Sequence, residues 1–488
     1  MGTRLDHLRS VHMYDHRKLG RELGLFDSDP LIGAGLPYWL PAGAAIRQAI
    51  ERYIVDVERR AGYQQVYSPV LGKRELYEIS GHWAKYNEDM YPPMDVGGEQ
   101  VVLRPSLCPH HALMFRSRAH SYRELPLRMS ELGGMYRSEL SGVLGGLTRV
   151  RAIQLNDGHI FCSLDQVAEE AGAALALINQ AYRDLGISAS RYLLSLPAED
   201  AKFGDPASKY VGDAESWERA SSLLRDVLDG AGIAYEEAPG EAAFYGPKID
   251  IQVEDSAGRE SSLSTIQVDF HQPAAFGLEF MGADGNKHRP VMVHRAIVGS
   301  IERAVAQLIE VHGGAFPSWL APVQLVVLPI SDKEEEAAAK VLRQAVDLGL
   351  RAEIAYAEEG SLGARIRQNR LVPHLAVIGP REAAAGEIAI RDRDGSQHPA
   401  APAAAVLRDL AASADPLRRG EPPRHQLPAP SPGPSVPQPG EAAIDGLDVR
   451  SAGLELADEV GDGVVVVVER EVHGLAGPLV AELDPRRE

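Results

Sequence analysis

A chain of 488 residues with 44% apolar side chains is long enough for two to four domains, each with its own core. Its net charge of −19 excludes a general nucleic-acid or membrane coat, while still allowing a local basic face. No apolar run reaches the roughly 18 residues of a membrane span, the charged start MGTRLDHLRSVHMYDHRKLG lacks a signal-peptide core, and two cysteines, Cys108 and Cys162, cannot build a disulfide framework. The expectation is a cytoplasmic protein without a membrane partner.

In chain order, residues 39–60 (WLPAGAAIRQAIERYIVDVERR) carry apolar side chains at helical spacing and predict a long amphipathic helix. YQQVYSPV (63–70) alternates apolar and polar and predicts a strand that Pro69 closes or confines to an edge. Between about 99 and 300, the β runs QVVLRPS, RMSELGGMYRSE, VRAIQLNDGHIF, KIDIQVED and SSLSTIQVDFH follow one another with few helices between. This predicts an α+β domain, an antiparallel sheet flanked by helices. From about Pro322 the pattern changes. VQLVVLPIS, a helix over 332–348, RAEIAYAEE, a helix over 362–370, HLAVIG and EIAIRD predict a small α/β domain with a mostly parallel sheet. Residues 415–442 are a proline-rich linker. Residues 443–488, with a run of five valines, are a short C-terminal extension to which no role is assigned.

One stretch is unusual for a strand. VRAIQLNDGHIF carries Arg151, Asn156, Asp157 and His159, and strand alternation puts Asp157 and His159 on one face. Two further metal-ligand types stand apart: Cys108 in LRPSLCPHH, read as following a strand, and His294 in VMVHRAIVGSIER. No pair has CxxC or HxxxH spacing, so spacing alone supports no zinc site. A core cysteine and hydrogen-bonded strand histidines explain the residues more simply. The alternative is one cysteine and two histidines from three strands of a single sheet, a three-ligand zinc site open on one side. There is no P-loop, and no GxGxxG opens a helix.

The ordered series DHRKLGRELGLF, SGHW, CPHH, LPLRMSELGGMYRSE, GLTRVR, DGHIFC, FYGPKIDI, TIQVDFHQP, HRAIVGSIER and WLAPVQLVVLPIS covers about residues 11–400. It resembles the class II aminoacyl-tRNA synthetases and, within them, the threonyl-tRNA synthetase family. The resemblance implies a class II catalytic domain over 1–318 and an anticodon-binding-like α/β domain over 319–414. It implies Cys108, His159 and His294 as zinc ligands. Asp157 would accept the threonine hydroxyl proton, with Tyr245, Lys248 and Gln267 in the aminoacyl pocket and Lys248 among the catalytic groups. YRSE resembles motif 2, which places Arg137 on the α-phosphate and substrate carboxylate and Glu139 on the adenine amino group. GSIER resembles motif 3, with Arg303 on the γ-phosphate. The long helix before YSP resembles motif 1, a dimer element, and so implies a homodimer. Glu382 and Arg391 fall where anticodon-reading residues lie. The implied activity is threonine–tRNA ligation through an adenylate, with ATP, Mg²⁺, Zn²⁺, L-threonine and tRNA as cofactors and partners. Such a site has a physical logic. Threonine can place both its amino group and its β-hydroxyl on one metal, which valine cannot, whereas serine lacks only a methyl, worth about 1–3 kcal/mol.

The departures are specific. Where the family reads RGFTQDDAHIF, this strand reads RAIQLNDGHIF. Ile153 stands where an aromatic ring stacks on adenine, Leu155 where a glutamine faces the substrate, and Asn156 where an aspartate stands. The isoleucine is expected to weaken ATP binding modestly, and the lost glutamine to alter how the carboxylate is held. His110 takes a glycine position in CPHH. AEEGSLG (357–363) replaces a basic RNEKIG loop, which weakens phosphate contact and puts tRNA more in question than adenylation. The chain begins almost at the catalytic domain, which suggests a compact form without the usual N-terminal serine-editing region. Two competing readings follow. The ligase reading itself allows a specialised or inhibitor-resistant second copy; the first competitor is a free-standing amino-acid adenylating enzyme that loads a non-tRNA acceptor or serves a biosynthetic pathway. The other is a non-catalytic paralogue, against which the retained Arg137, Glu139, Arg303 and ligand set speak.

Overall fold

The computed structural model describes residues 14–418 except 206. The start of the chain, most of the proline-rich linker and the 443–488 extension with its valine run lie outside the described residues.

Helix α1 spans His16–Glu22 and is capped by the Asp15 carboxylate, which accepts from the Arg17 N–H. The long expected helix is α2, Pro41–Arg60, with proline in its first turn, where a missing N–H costs nothing. Ile46, Ile50, Tyr53, Ile54 and Val57 recur at three- and four-residue steps and are all buried. Burying each such side chain contributes about 1.5–3 kcal/mol. The segment after it forms far less strand than its alternation suggested. Only β1, Gln64–Gln65, pairs, in parallel with β2, Leu127–Tyr136, at the sheet edge. The Val66 N–H still donates to the Ser130 carbonyl, but Tyr67 is 84% exposed and Pro69 has no N–H to continue the ladder.

QVVLRPS also departs from expectation. Glu99–Leu103 pairs with Leu71–Lys73 and Met94–Val96 in a separate small sheet, so it is not part of the main one. Helix α3 follows at Cys108–Arg116. The remaining strands of the main sheet are β3 Ala152–Cys162, β4 Arg191–Leu196, β5 Glu236–Pro239, β6 Lys248–Glu254, β7 Glu260–Asp269 and β8 Val291–Ala296. Among the described residues they form an eight-stranded sheet in the order β5-β4-β6-β7-β8-β3-β2-β1. Only the outermost pairs are parallel, so the antiparallel expectation holds for the sheet's centre.

Alternation gives this sheet two faces. Ile160, Cys162, Ile249, Ile251, Ile266, Val268, Val291 and Val293 point into the main core. Helices α4 (Val167–Leu185), α5 (Ala214–Gly230) and α6 (Ile301–His312) cover that face. The intervening residues, among them Ile153, Leu155, Asp157, Lys248, Gln267 and His294, line an open cleft.

The following segment builds a second sheet from β9 Leu325–Pro329, β10 Ala352–Ile354, β11 His374–Ile378, β12 Glu387–Asp392 and β13 Ala401–Pro402, in the order β10-β9-β11-β12-β13. Helices α7 (Glu335–Asp347), α8 (Leu362–Gln368), α9 (Pro380–Ala385) and α10 (Ala403–Ser413) accompany it. The sheet is mixed, not mostly parallel. β10, β9 and β11 run parallel, whereas β11–β12 and β12–β13 are antiparallel. The chain turns back after α9 without a long crossover, and a short connection joins antiparallel strands. Among the described residues no helix is long and apolar enough to cross a membrane.

Candidate active site

The cleft has a volume of about 420 Å³. At the end where His294 lines the cleft, ligand atoms of Cys108, His159 and His294 all lie within 4.8 Å of one another, and all three residues are buried. The two histidines face each other across the β3–β8 ladder, His159 opposite His294. Cys108 comes from a different kind of element than expected. It is the first residue of α3, so two strands and a helix start supply the trio, not three strands.

Each member is braced. His294 donates from Nε2 to the Asp269 carboxylate at 2.9 Å, which leaves Nδ1 free to act as a ligand. His159 Nδ1 lies 2.7 Å from His111 Nδ1, and His111 Nε2 lies 3.1 Å from the Glu131 carboxylate. His159 Nε2 is buried without a hydrogen-bond partner, 3.8 Å from Asp157 Oδ1. Cys108 Sγ sits 2.9 Å from Ser106 Oγ, and burial pushes its thiol up to about 12. Burial also holds His159 well below the ordinary histidine range, with the neighbouring charges of His294, His111 and Arg295 adding to it. A buried thiol, two imidazoles and an orphaned ring nitrogen are the donor set that fits zinc with one side open.

Beside this trio, burial raises the Asp157 carboxyl above its usual range. Tyr245 donates its hydroxyl to Gln267, and its ring lies 5.0 Å from that of His294. Lys248 is ion-paired with Asp250, which also accepts from Ser195 Oγ at 2.6 Å.

At the other end of the cleft the polar groups lean on protein atoms. Arg137 lies over the Tyr86 ring at 5.4 Å. Glu139 accepts from Arg149 Nε at 2.9 Å, and so is occupied by a neighbouring cation. Arg303 donates to the Thr148 carbonyl at 3.1 Å and the Ser262 carbonyl at 2.5 Å. Burial, followed by the charges of Arg137 and Arg149, lowers its proton affinity. Ile153 and Leu155 form an apolar strip in the cleft wall. Glu382 and Arg391 are not part of the cleft lining. Glu382 caps α9, accepting from the Gly379 N–H at 3.0 Å, and Arg391 lies on β12.

The unusual strand residues have physical counterparts. Asn156 donates to Glu58 at 2.7 Å and accepts from the Ile297 N–H at 3.1 Å. Glu58 is fully buried on α2 and ion-paired with Arg295 at 2.7 Å. An aspartate at 156 would set a second carboxylate against it. Gly158 is required by close approach: a Cβ there would lie 2.3 Å from the Arg295 guanidinium carbon. His110 is buried beside Tyr77. The acidic loop forms a short turn in which Glu358 and Glu359 are exposed.

The motifs also contain site residues to which no role was given. His82 of SGHW is buried with Nε2 3.9 Å from Cys108 Sγ. His111 of CPHH, Glu131 of RMSE and Asp269 of QVDF brace the histidines. Their motif positions were visible in the sequence, but their partners lie on other strands.

Residues 91–312 match the tRNA synthetase class II core domain (G, H, P, S and T), and residues 324–410 match an anticodon binding domain. A threonine–tRNA ligase of Geobacillus sp. (strain WCH70) is 47% identical over 392 residues, which cover 79% of this chain and 60% of that protein. Threonine–tRNA ligase 1 of Bacillus subtilis (strain 168) is 48% identical, with the same coverages. The chain thus spans about three-fifths of the length of the curated relatives it matches. Among solved structures, the RNA binding domain of threonyl-tRNA synthetase from Cryptosporidium parvum Iowa II superposes with a TM-score of 0.76 at 35% identity, covering 82% of this chain and 98% of that one. The chain belongs to the threonyl-tRNA synthetase family of class II aminoacyl-tRNA synthetases.

Proposed function

We propose that this chain is a threonine–tRNA ligase: it activates L-threonine with ATP and transfers the threonyl group to tRNA. The observation that carries this reading is the buried Cys108–His159–His294 trio beside Asp157, in the same cleft as Arg137 and Arg303. When bound, zinc would be held by those three side chains and would accept the amino group and β-hydroxyl of threonine as ligands.

The remaining chemistry belongs to the chain. Asp157 accepts the threonine hydroxyl proton, and the Tyr245–Gln267 pair closes the wall around the amino acid. A carboxylate oxygen of threonine then attacks the α-phosphorus of ATP, and pyrophosphate leaves. Charge accumulates on the phosphoryl oxygens, so fixed cations there stabilise the transition state. Arg137 holds the α-phosphate and carboxylate, Lys248 adds charge once released from Asp250, and Arg303 holds the γ-phosphate. Mg²⁺ accompanies ATP. Glu139 exchanges Arg149 for the adenine amino group, and Ile153 packs on the adenine face.

The proposal extends to residues 1–318 as the catalytic unit, and to residues 319–414 as the unit that approaches the anticodon through Glu382 and Arg391. It includes a homodimer formed through α2 and its neighbours, and a cytoplasmic setting in which Cys108 and Cys162 stay reduced.

The test is amino-acid-dependent pyrophosphate exchange with threonine, serine and valine, followed by charging of total tRNA. Threonine-dependent exchange with charging of a threonine tRNA is expected. Exchange without charging would overturn the transfer half of the reading. No exchange with any amino acid in zinc-replete protein would overturn all of it.

A further inference from the structure

The proton arrangement behind His159 carries an inference that rests on the zinc reading above and goes beyond its ligands. Glu131 is buried on β2 and receives three donors: Arg104 Nη2 at 3.0 Å, Ser68 Oγ at 2.7 Å and His111 Nε2 at 3.1 Å. A carboxylate so surrounded is an acceptor only, so the hydrogen between it and His111 belongs to His111 Nε2. One proton must also lie in the 2.7 Å contact between His111 Nδ1 and His159 Nδ1. If His111 supplied it, His111 would be a cation with no exposed surface, and the single carboxylate of Glu131 would face two buried cations, His111 and Arg104. That arrangement is costly, and it would leave the His159 proton on Nε2, where it blocks a metal. If His159 supplies it, every donor meets an acceptor and only the His159 Nε2 lone pair is left over. That is the atom found buried without a partner.

We propose that His111 and Glu131 are positioning residues that fix the His159 proton on Nδ1 and so present its Nε2 lone pair to zinc. Asp269 does the same for His294 through one hydrogen bond, whereas His159 is served through two in series.

The test uses the full chain purified in zinc. Bound zinc is measured by mass spectrometry of the metal, and its release is timed with a chromogenic chelator. Breaking such an outer contact costs about 10–100-fold in metal affinity. His111→Phe, which fills the space without an acceptor, and Glu131→Gln, which keeps the shape without the charge, are therefore expected to release zinc faster by a factor of that order. His111→Gln, whose amide oxygen accepts from His159 and whose N–H donates to Glu131, is expected to return release close to the wild-type rate. A packing role would be filled as well by phenylalanine, so equally fast release from His111→Gln and His111→Phe overturns the proposal. Wild-type release rates in both His111→Phe and Glu131→Gln, with zinc still bound, overturn the relay and leave the zinc site standing. A wild-type chain that holds no zinc overturns both. If His111→Phe does not fold, Glu131→Gln decides by the same reading.

Discussion

At the end of the cleft where Cys108, His159 and His294 meet, the carboxylates behind the histidines, Glu131 and Asp269, each accept from three donors, and no cation has to move to admit a ligand. At the Arg137–Arg303 end, Arg303 is bonded to backbone carbonyls, Glu139 to Arg149, and the wall between them carries Ile153 and Leu155. Two buried carboxylates show the contrast. Burial alone would raise Glu131, but hydrogen bonds from His111 and Ser68 and the Arg104 charge bring it down to about 2. Glu302, next to Arg303 in sequence but outside the cleft lining, accepts from backbone N–H groups, that of Gln154 at 3.1 Å among them, with Arg47 4.0 Å away, and burial pushes it up to about 7. On the proposed function, one end would be preorganised for a small, directional ligand, and the other would exchange protein contacts for a large polyanion that brings its own charge and metal.

The largest expected effect tests the preorganised end. A site that demands a hydroxyl rejects an analogue lacking it by about 10⁴–10⁵, whereas an apolar pocket separates such isosteres by only about 10². His294→Ala is therefore expected to lower the preference for threonine over valine in pyrophosphate exchange by about 10²–10³. Intact selectivity in that variant would mean that the trio does not read the hydroxyl. Next in size, Arg303→Ala is expected to lower kcat by about 10²–10³, the usual loss for one transition-state donor, with zinc content unchanged. A variant that loses zinc and rate together would show the two ends to be one coupled unit.

Glu302 and Glu131 also differ in pH dependence, and the signs are opposite. The folded-state pKa of Glu302 lies above its ordinary 4.5, so its contribution to stability is fully present below pH 4.5 and is lost as the pH rises toward 7. Glu131 lies below 4.5, so its contribution is present above that value and is lost as the pH falls toward 2. The Glu302 shift corresponds to about 3 kcal/mol. Denaturant unfolding of Glu302→Gln between pH 4.5 and 7 is expected to show a flatter pH dependence than the parent. An unchanged slope would show that Glu302 is charged and braced like Glu131.

The sequence made the two ends legible to different depths. Alternation in VRAIQLNDGHIF was enough to put Asp157 and His159 on one face, and the opposite face proved to be core, as period-two patterning requires. Asn156 read only as a departure, and Gly158 drew no remark, because their reasons lie about 100 and 140 residues away in sequence: Glu58 reaches Asn156 from helix α2, and Arg295 meets Gly158 through the β3–β8 pairing. Cys108 was placed after a strand because QVVLRPS has strand rhythm, but Pro109 suits a helix's first turn, and the strand itself belongs to another sheet. YQQVYSPV alternates well, yet forms a two-residue strand because a sheet edge with a proline offers few N–H groups to pair.

The smallest effect sharpens the nucleotide side. Ile153 occupies the face on which the adenine is proposed to rest, and an aliphatic side chain offers burial there without ring stacking. Aromatic pairing is worth about 0.5–1.5 kcal/mol beyond burial, so Ile153→Phe is expected to lower the KM for ATP by about 2–10-fold. The cleft, about 420 Å³ and open on one side, has room for the larger ring. The Glu58–Asn156 contact lies on the opposite face of β3 and His159 of the zinc trio three pleat repeats further on, so threonine-over-valine selectivity is expected to stay at its parent value. A lower KM with unchanged selectivity would show that the two ends are tuned separately, with the weak adenine seat a local property of one side chain. An unchanged KM would place the adenine elsewhere in the cleft. A change in valine rejection would mean that β3 transmits strain from one end to the other, so that the braced and the exchanging halves cannot be varied independently.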